Sequence, residues 1–250
     1  MISVSALKTR RASRRPVRRG REALAPRAQL RHLPVRAGDP RARRPQRRDE
    51  PRLLSDVILE DVTRVAAVRE AAGGDAELFI DANCSLDYFH AVELAGALAP
   101  YHISFFEEPI TQNDVRQMAE LRRQTGMRVA CGQNEGQSYR FRDMLVAGAV
   151  DIIQPNVVIS GGFTQCQKIA ALASGFNVGI DNGGAWPFFN AHLQAGLANG
   201  GLVEWHYSSV EACRLIYDDL PEAKDGWFDM TEAPGLGFTL NTGRLENFLI

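Results

Sequence analysis

From residue 53 onward the chain switches repeatedly between two hydrophobic periodicities. Short apolar runs, each closing on a polar side chain, predict strands over 77–81, 102–106, 128–132, 151–154, 177–181 and 202–205. Between them, apolar residues at i, i+3 and i+4 predict helices over 60–72, 86–98, 115–125, 140–147, 164–173 and 188–198. Ser85 and Asp114 stand where N-caps belong, and Gly126 sits just past a helix end, as a C-cap does.

The polar residues that close the runs recur at nearly constant spacing. Asp81, Glu107 and Gln133 follow one another at 26 residues, and Asn156, Asn182 and Glu204 then come at 23, 26 and 22. A helix between successive strands makes those strands parallel, so six units in series specify an α/β fold, either a barrel or a doubly wound sheet. The barrel is preferred because a polar residue ends every strand, the place where barrel enzymes gather their active-site groups. No GxGxxG or GxxxxGK[ST] follows a strand, which leaves nucleotide binding without support. A complete barrel has eight such units. Six units behind one leading helix therefore predict an incomplete (β/α) TIM-like barrel that lacks its first strands.

At 45% apolar and 24% charged, 250 residues hold ample core for one large domain or two small ones. No apolar run is long enough to span a bilayer. Cys84, Cys131, Cys166 and Cys213 are too scattered for a zinc module or a disulfide framework, and fit reduced thiols in a cytoplasmic protein. The net charge of −1 conceals a division. Residues 1–52 carry 17 basic against 4 acidic side chains, whereas the remainder carries 12 against 26. That first stretch, rich in Arg and Pro and without apolar period, is expected to be a disordered basic segment, with the folded domain over 53–250. Three origins are open for it: an organelle transit peptide, a tail for nucleic-acid phosphates, or sequence read out of frame ahead of a genuine domain.

Two carboxylates and an amide oxygen on three successive strand ends are hard donors of the kind Mg²⁺ takes. With LFIDAN, SFFEEP, DIIQPNVVISGG, NAHLQAG and the closing PGLGF at 234–238, the pattern resembles the enolase superfamily over about residues 53–250. The branch it resembles is that of mandelate racemase and muconate lactonizing enzyme. The resemblance implies a capping domain followed by a barrel whose third, fourth and fifth strands carry the Mg²⁺ ligands. It also implies removal of a proton α to the carboxylate of a small acid, through an enediolate.

By position, the resemblance assigns Asp81, Glu107 and Gln133 to the metal, with Glu135 as an alternative third ligand and Asn83 and Glu108 as supporting or substrate contacts. Gln133 replaces the usual carboxylate, which removes one negative charge and is expected to weaken Mg²⁺ binding. Asn156 stands where one branch has the Asp of an Asp–His dyad and another a Lys, and Asn182 where the dyad His would stand. Glu204 occupies the position at which racemase-like members hydrogen-bond the substrate. Strand ends rich in amides suit a polyhydroxylated acid, and the GGAWP segment at 183–187 reads as a substrate-lining loop. His192 and Lys168 fall within helical patterns and are read as packing or a helix hydrogen bond and as a solvated position; His206 reaches the rim without a motif behind it.

The departure with the largest consequence is the base. The family's Lys-x-Lys upstream of the first metal Asp has no counterpart in DEPRL at 49–53, and only Lys168 and Lys224 follow residue 52. A frame disruption upstream of about residue 53 would account for the missing lysines, strands and cap together. The expectation is a Mg²⁺-dependent lyase or isomerase, dehydratase-like or racemase-like, acting on a small carboxylic-acid substrate. Its turnover is weak or absent and it needs neither membrane nor nucleic acid; the family often assembles into symmetric homo-oligomers, and the oligomeric state of this chain is left open. The rival reading is a non-catalytic barrel remnant whose basic tail engages nucleic acid or another acidic partner.

Overall fold

The computed structural model describes residues 2–8, 27–31 and 54–248. Its main strands are β1 (Ser3–Lys8), β2 (Arg27–Arg31), β3 (Ala76–Asp81), β4 (Ile103–Glu107), β5 (Val129–Cys131), β6 (Ile152–Ile153), β7 (Gly179–Asn182) and β8 (Gly200–Glu204). Four shorter strands follow, β9 (Tyr217–Asp218), β10 (Ala223–Lys224), β11 (Trp227–Asp229) and β12 (Thr239–Leu240). The helices are α1 (Leu54–Ala72), α2 (Tyr88–Leu98), α3 (Val115–Thr125), α4 (Gln137–Val146), α5 (Gly162–Gly175), α6 (Pro187–Ala195), α7 (Tyr207–Ile216) and the short α8 (Thr242–Leu245). Each of the six expected strands is present and is followed by a helix, from β3–α2 to β8–α7. The described residues form two compact units, one of 2–8, 54–131 and 147–150, the other of 27–31, 132–146 and 151–248.

In the first unit β3, β4 and β5 are parallel, with Asp81 opposite Glu107 and Glu107 opposite Ala130. Both faces of β3 are covered, which is why Leu78, Phe79 and Ile80 read as an unbroken apolar run. Leu78, Ile80 and Phe106 pack against Ile58, Val65 and Val68 of α1 and Leu94 and Leu98 of α2. Phe79 and Phe105, pointing to the opposite side, stack with ring centroids 4.5 Å apart. Near the end of α1, Arg69 donates to four backbone carbonyls: Gly73 (3.0 Å), Ala76 (2.6 Å), Tyr101 (2.8 Å) and His102 (3.2 Å). One guanidinium thereby ties the helix to the beginnings of β3 and β4. α3 begins on the Asp114 carboxylate and ends on left-handed Gly126 (φ 68°), as its sequence specifies.

In the second unit β6, β7 and β8 are parallel, and β2 extends them in parallel from Gln29↔Leu202 to Arg31↔Glu204. β11 and β10 continue antiparallel beyond β2. Between β7 and β8 the pairing slips: Ile180 faces Gly200, yet Asn182 faces Val203, so β8 holds one extra residue. The buried Asp181 carboxylate accepts a hydrogen bond from the Leu202 amide (2.7 Å) and satisfies the donor that the slip displaces. The core is aromatic. Phe188 of α6 packs on Trp205 and Phe228 (centroids at 5.4 and 5.9 Å), and Phe238 of PGLGF meets Phe189 and Tyr217 (5.4 and 5.2 Å). His192 Nε2 lies 3.0 Å from the Leu236 carbonyl oxygen, a helix-borne hydrogen bond, one of the two roles expected of it.

The structure corrects one expectation. α2 is capped by Asp87, whose carboxylate accepts from the His90 amide (3.1 Å), and not by Ser85; Asp87 is the candidate with the third helical amide in reach. β3 is flanked by antiparallel β1 and β8 by parallel β2. The expectation of disorder over 1–52 lies largely outside the described residues, of which that stretch contributes only 2–8 and 27–31, with β1 and β2. The four cysteines are free thiols. Among the described residues no helix is long and apolar enough to cross a membrane.

Candidate active site

At the strand ends of the first unit, two carboxylates stand side by side. Asp81 and Glu107 are direct partners in the β3–β4 ladder, so their side chains leave the sheet on the same face. Asp81 is oriented by Asn83, whose backbone amide donates to Oδ1 (2.7 Å) and whose side chain donates to Oδ2 (3.0 Å). Holding that geometry puts Asn83 in the left-handed region (φ 47°), together with Cys84 (56°), Glu108 (40°) and Asn113 (50°). Asn and Asp tolerate such backbone; for Cys and Glu it is strain of the kind concentrated at functional sites. Behind Glu107, the Cys84 thiol donates to Asn113 Oδ1 (3.3 Å) and Asn113 Nδ2 donates to the buried Glu108 Oε1 (3.3 Å). Burial, reinforced by the Glu108 charge, pushes the Cys84 thiol up to about 12, so it stays protonated at neutral pH.

The second unit gathers the amides. Gln133 is buried just past β5, and Gly184 (φ 74°) lies against it. A Cβ on Gly184 would come within 3.1 Å of the Gln133 Cβ and 3.3 Å of Asn156 Nδ2. Asn156 is fully buried; its Oδ1 accepts from the Val158 amide (3.0 Å), and its Nδ2 faces the carbonyls of Gly183 (3.0 Å), Gly184 (2.8 Å) and Ala185 (3.3 Å). Asn182 Nδ2 donates to the same Gly183 carbonyl (2.7 Å), while its buried Oδ1 has no hydrogen-bond partner among the described residues. Glu204 is half-buried, and its Oε2 accepts from the Ala185 amide (2.9 Å). The residues assigned from the sequence thus fall into an acidic pair in one unit and an amide cluster with Glu204 in the other.

The remaining candidates resolve as side players. Glu135 is engaged by Arg140 through two contacts (2.8 and 3.0 Å), which makes it a poor substitute for Gln133. Lys168 is exposed on α5, and exposed His206 precedes α7 with its Nδ1 at 3.1 Å from Ser208 Oγ. Three residues that the sequence reading did not single out matter here. Asn190, in the first turn of α6, donates to the Ala185 and Trp186 carbonyls (both 3.1 Å) and accepts from the Val157 amide (3.0 Å). Ser209 accepts from the Trp186 amide (3.2 Å). Gln154 is fully buried, and neither of its amide atoms has a partner among the described residues. The signal for Asn190 lay in NAHLQAG, where an Asn of modest helix propensity opens an otherwise apolar helix face.

Among the described residues no three His, Cys, Asp or Glu side chains gather as a metal site. A divalent ion at the acidic pair would therefore complete its shell with neutral oxygens. Two carboxylates with amide or water oxygens form a set that suits a hard cation such as Mg²⁺ and disfavours softer metals.

The chain is matched over residues 21–244 by the model of the enolase C-terminal domain-like family. It is 33% identical over 194 residues to 3,6-anhydro-alpha-L-galactonate cycloisomerase of Streptomyces coelicolor, covering 77% of this chain and 52% of that protein. It is similar to the crystal structure of a racemase from Streptomyces coelicolor with bound magnesium (TM-score 0.70, 30% identity, 76% of this chain and 51% of that one). It is also similar to L-talarate dehydratase from a Polaromonas species, complexed with Mg and L-glucarate (TM-score 0.69, 27% identity, 76% and 51%). The chain spans about half the length of the curated relatives it matches. The incomplete (β/α) barrel class expected from the repeating units is borne out by these likenesses. By family model, sequence and fold together, the chain belongs to the enolase superfamily, in its mandelate racemase and muconate lactonizing enzyme branch.

Proposed function

We propose that this chain carries the metal-binding and substrate-orienting half of a Mg²⁺-dependent lyase or isomerase that acts on acid sugars. The observation that carries the reading is the direct pairing of Asp81 with Glu107 at adjacent parallel strand ends. Asp81 and Glu107 are the carboxylate ligands, and the strand-end spacing alone assigns Gln133 as a third, neutral oxygen donor. When bound, Mg²⁺ withdraws charge from the substrate carboxylate and lowers the cost of removing the α proton. Asn83 fixes the Asp81 carboxylate, and the Glu108–Asn113–Cys84 chain braces the turn behind Glu107. Glu204 presents its second oxygen to the substrate, and the orphaned Oδ1 of Asn182 accepts from a substrate hydroxyl, which restores the hydrogen bond a buried acceptor lacks.

The reading supplies orientation and charge, and no base of family type. Lys168 lies on α5 and Lys224 on β10, both exposed. General-base catalysis contributes roughly 10²–10⁴-fold where it operates, so turnover is expected to be weak or absent. Calorimetric titration of the full chain with Mg²⁺ tests the metal site: binding that disappears in Asp81→Asn and Glu107→Gln supports it. Absence of Mg²⁺ binding to the folded wild-type chain overturns the proposal, as does rapid Mg²⁺-dependent turnover for the impaired base. Salt-sensitive retention on heparin without any Mg²⁺ binding would favour the basic-tail reading instead.

A further inference from the structure

We infer that Asn156 is a positioning residue that sets Glu204 through the backbone of the 183–186 loop. The inference rests on the proposed role of Glu204 toward the substrate. Gly184, Ala185 and Trp186 are left-handed in succession, with φ of 74°, 69° and 60°. Such backbone is free for Gly and unfavourable for an L side chain, so two of the three must be held there by their surroundings. The hold comes from both sides of the loop.

On the carbonyl side stands Asn156. Its Oδ1 is fixed by the Val158 amide (3.0 Å), so its two N–H bonds point at three carbonyl oxygens, those of Gly183, Gly184 and Ala185. Asn190 adds the Ala185 and Trp186 carbonyls and returns to the same segment of chain through the Val157 amide (3.0 Å). On the amide side, the left-handed turn aims the Ala185 N–H at Glu204 Oε2 (2.9 Å) and the Trp186 N–H at Ser209 Oγ (3.2 Å). The Glu204 carboxylate therefore receives its only hydrogen bond among the described residues from a loop that Asn156 shapes. The donors of Asn156 are spent on backbone, which separates it from a residue that would touch substrate itself. Gly184 is part of the device, because a Cβ there would come within 3.3 Å of Asn156 Nδ2.

The test reads Trp186, which sits in the loop. The full chain, labelled with 5-fluorotryptophan, gives resonances for Trp186, Trp205 and Trp227 that Trp→Phe substitutions assign. Asn156→Asp places an acceptor against three carbonyls and is expected to shift the Trp186 signal more than the other two. Gly184→Ala strains the loop from the opposite side and is expected to reproduce that shift, which keeps the test decisive if Asn156→Asp does not fold. In a cycle of Asn156→Ala and Glu204→Ala, the double variant should lose less melting temperature than the sum of the single variants. An unmoved Trp186 signal in a cooperatively folded variant, or strictly additive losses, overturns the inference. Neither readout uses metal or substrate. A coupled loop in a chain that binds no Mg²⁺ would sink the functional proposal and leave the clamp standing.

Discussion

The strand ends of the two units handle their polar groups in opposite ways. In the first, Asp81 and Glu107 concentrate like charge on neighbouring positions, an arrangement that a counter-ion would favour. In the second, Asn156, Asn182, Asn190 and Glu204 direct their hydrogen bonds into one loop backbone, and the geometry is complete without a guest except at Asn182 Oδ1 and Gln154. On the proposed reading, the contrast is between a site that would take a cation and a site organised to hold its own shape. Metal dependence should be confined to the first, and loop rigidity to the second.

That contrast can be broken at several levels. The largest expected effect is structural. Arg69→Ala removes donors from four carbonyls at once and should cost about 3 kcal/mol in denaturant-measured stability, with Arg69→Lys recovering only part because an ammonium cannot fork. Next, saturating Mg²⁺ at a hundred times its dissociation constant should stabilise the wild-type chain by about 2.7 kcal/mol and leave Asp81→Asn unaffected in thermal melts. Asn190→Ala, which strands the buried Val157 amide and two carbonyls, should cost about 2 kcal/mol in chemical denaturation and leave the Mg²⁺ response intact. Gln154→Met should change stability by less than about 1 kcal/mol or raise it, since it removes an amide whose polar atoms have no partner among the described residues.

The smallest effect concerns Cys84. Its folded thiol titrates near 12 against an ordinary value of 9.0, so the unfolded chain loses its proton first as pH rises. The resulting stability is whole below pH 9 and declines between 9 and about 12. Cys84→Ser should flatten that alkaline decline in pH-dependent melts and change little at neutrality.

How far the sequence disclosed all this differs by kind of interaction. The βα units were legible because buried parallel strands show as apolar runs and helices show a 3.6 period, both local patterns. α7 went unread: its apolar positions Val210, Cys213 and Ile216 make only a brief period, and Phe228 of a later strand completes its core. β1, β2 and the short strands after α7 owe their existence to partners far along the chain, which no local period encodes. At the site the carboxylates stood out because charge closing an apolar run is conspicuous. The second half of the site was hidden because Asn156 and Asn190 bond to carbonyl oxygens, which every residue possesses and no sequence letter marks.

The extra residue in β8 has a consequence for parity. A strand shows its two faces to alternate residues, so what one face receives depends on whether the count from the strand's start is odd or even. Between Ile180 and Asn182 β7 takes two steps while β8 takes three from Gly200 to Val203. That odd step buries Val203 in the aromatic core and turns Glu204 the other way, toward the Ala185 amide. Deleting Gly201 would even the count, swing Glu204 to the helix side and bring Val203 to the mouth. A single surplus glycine thus decides whether the last carboxylate of the series faces the Ala185 amide or an oil-like interior.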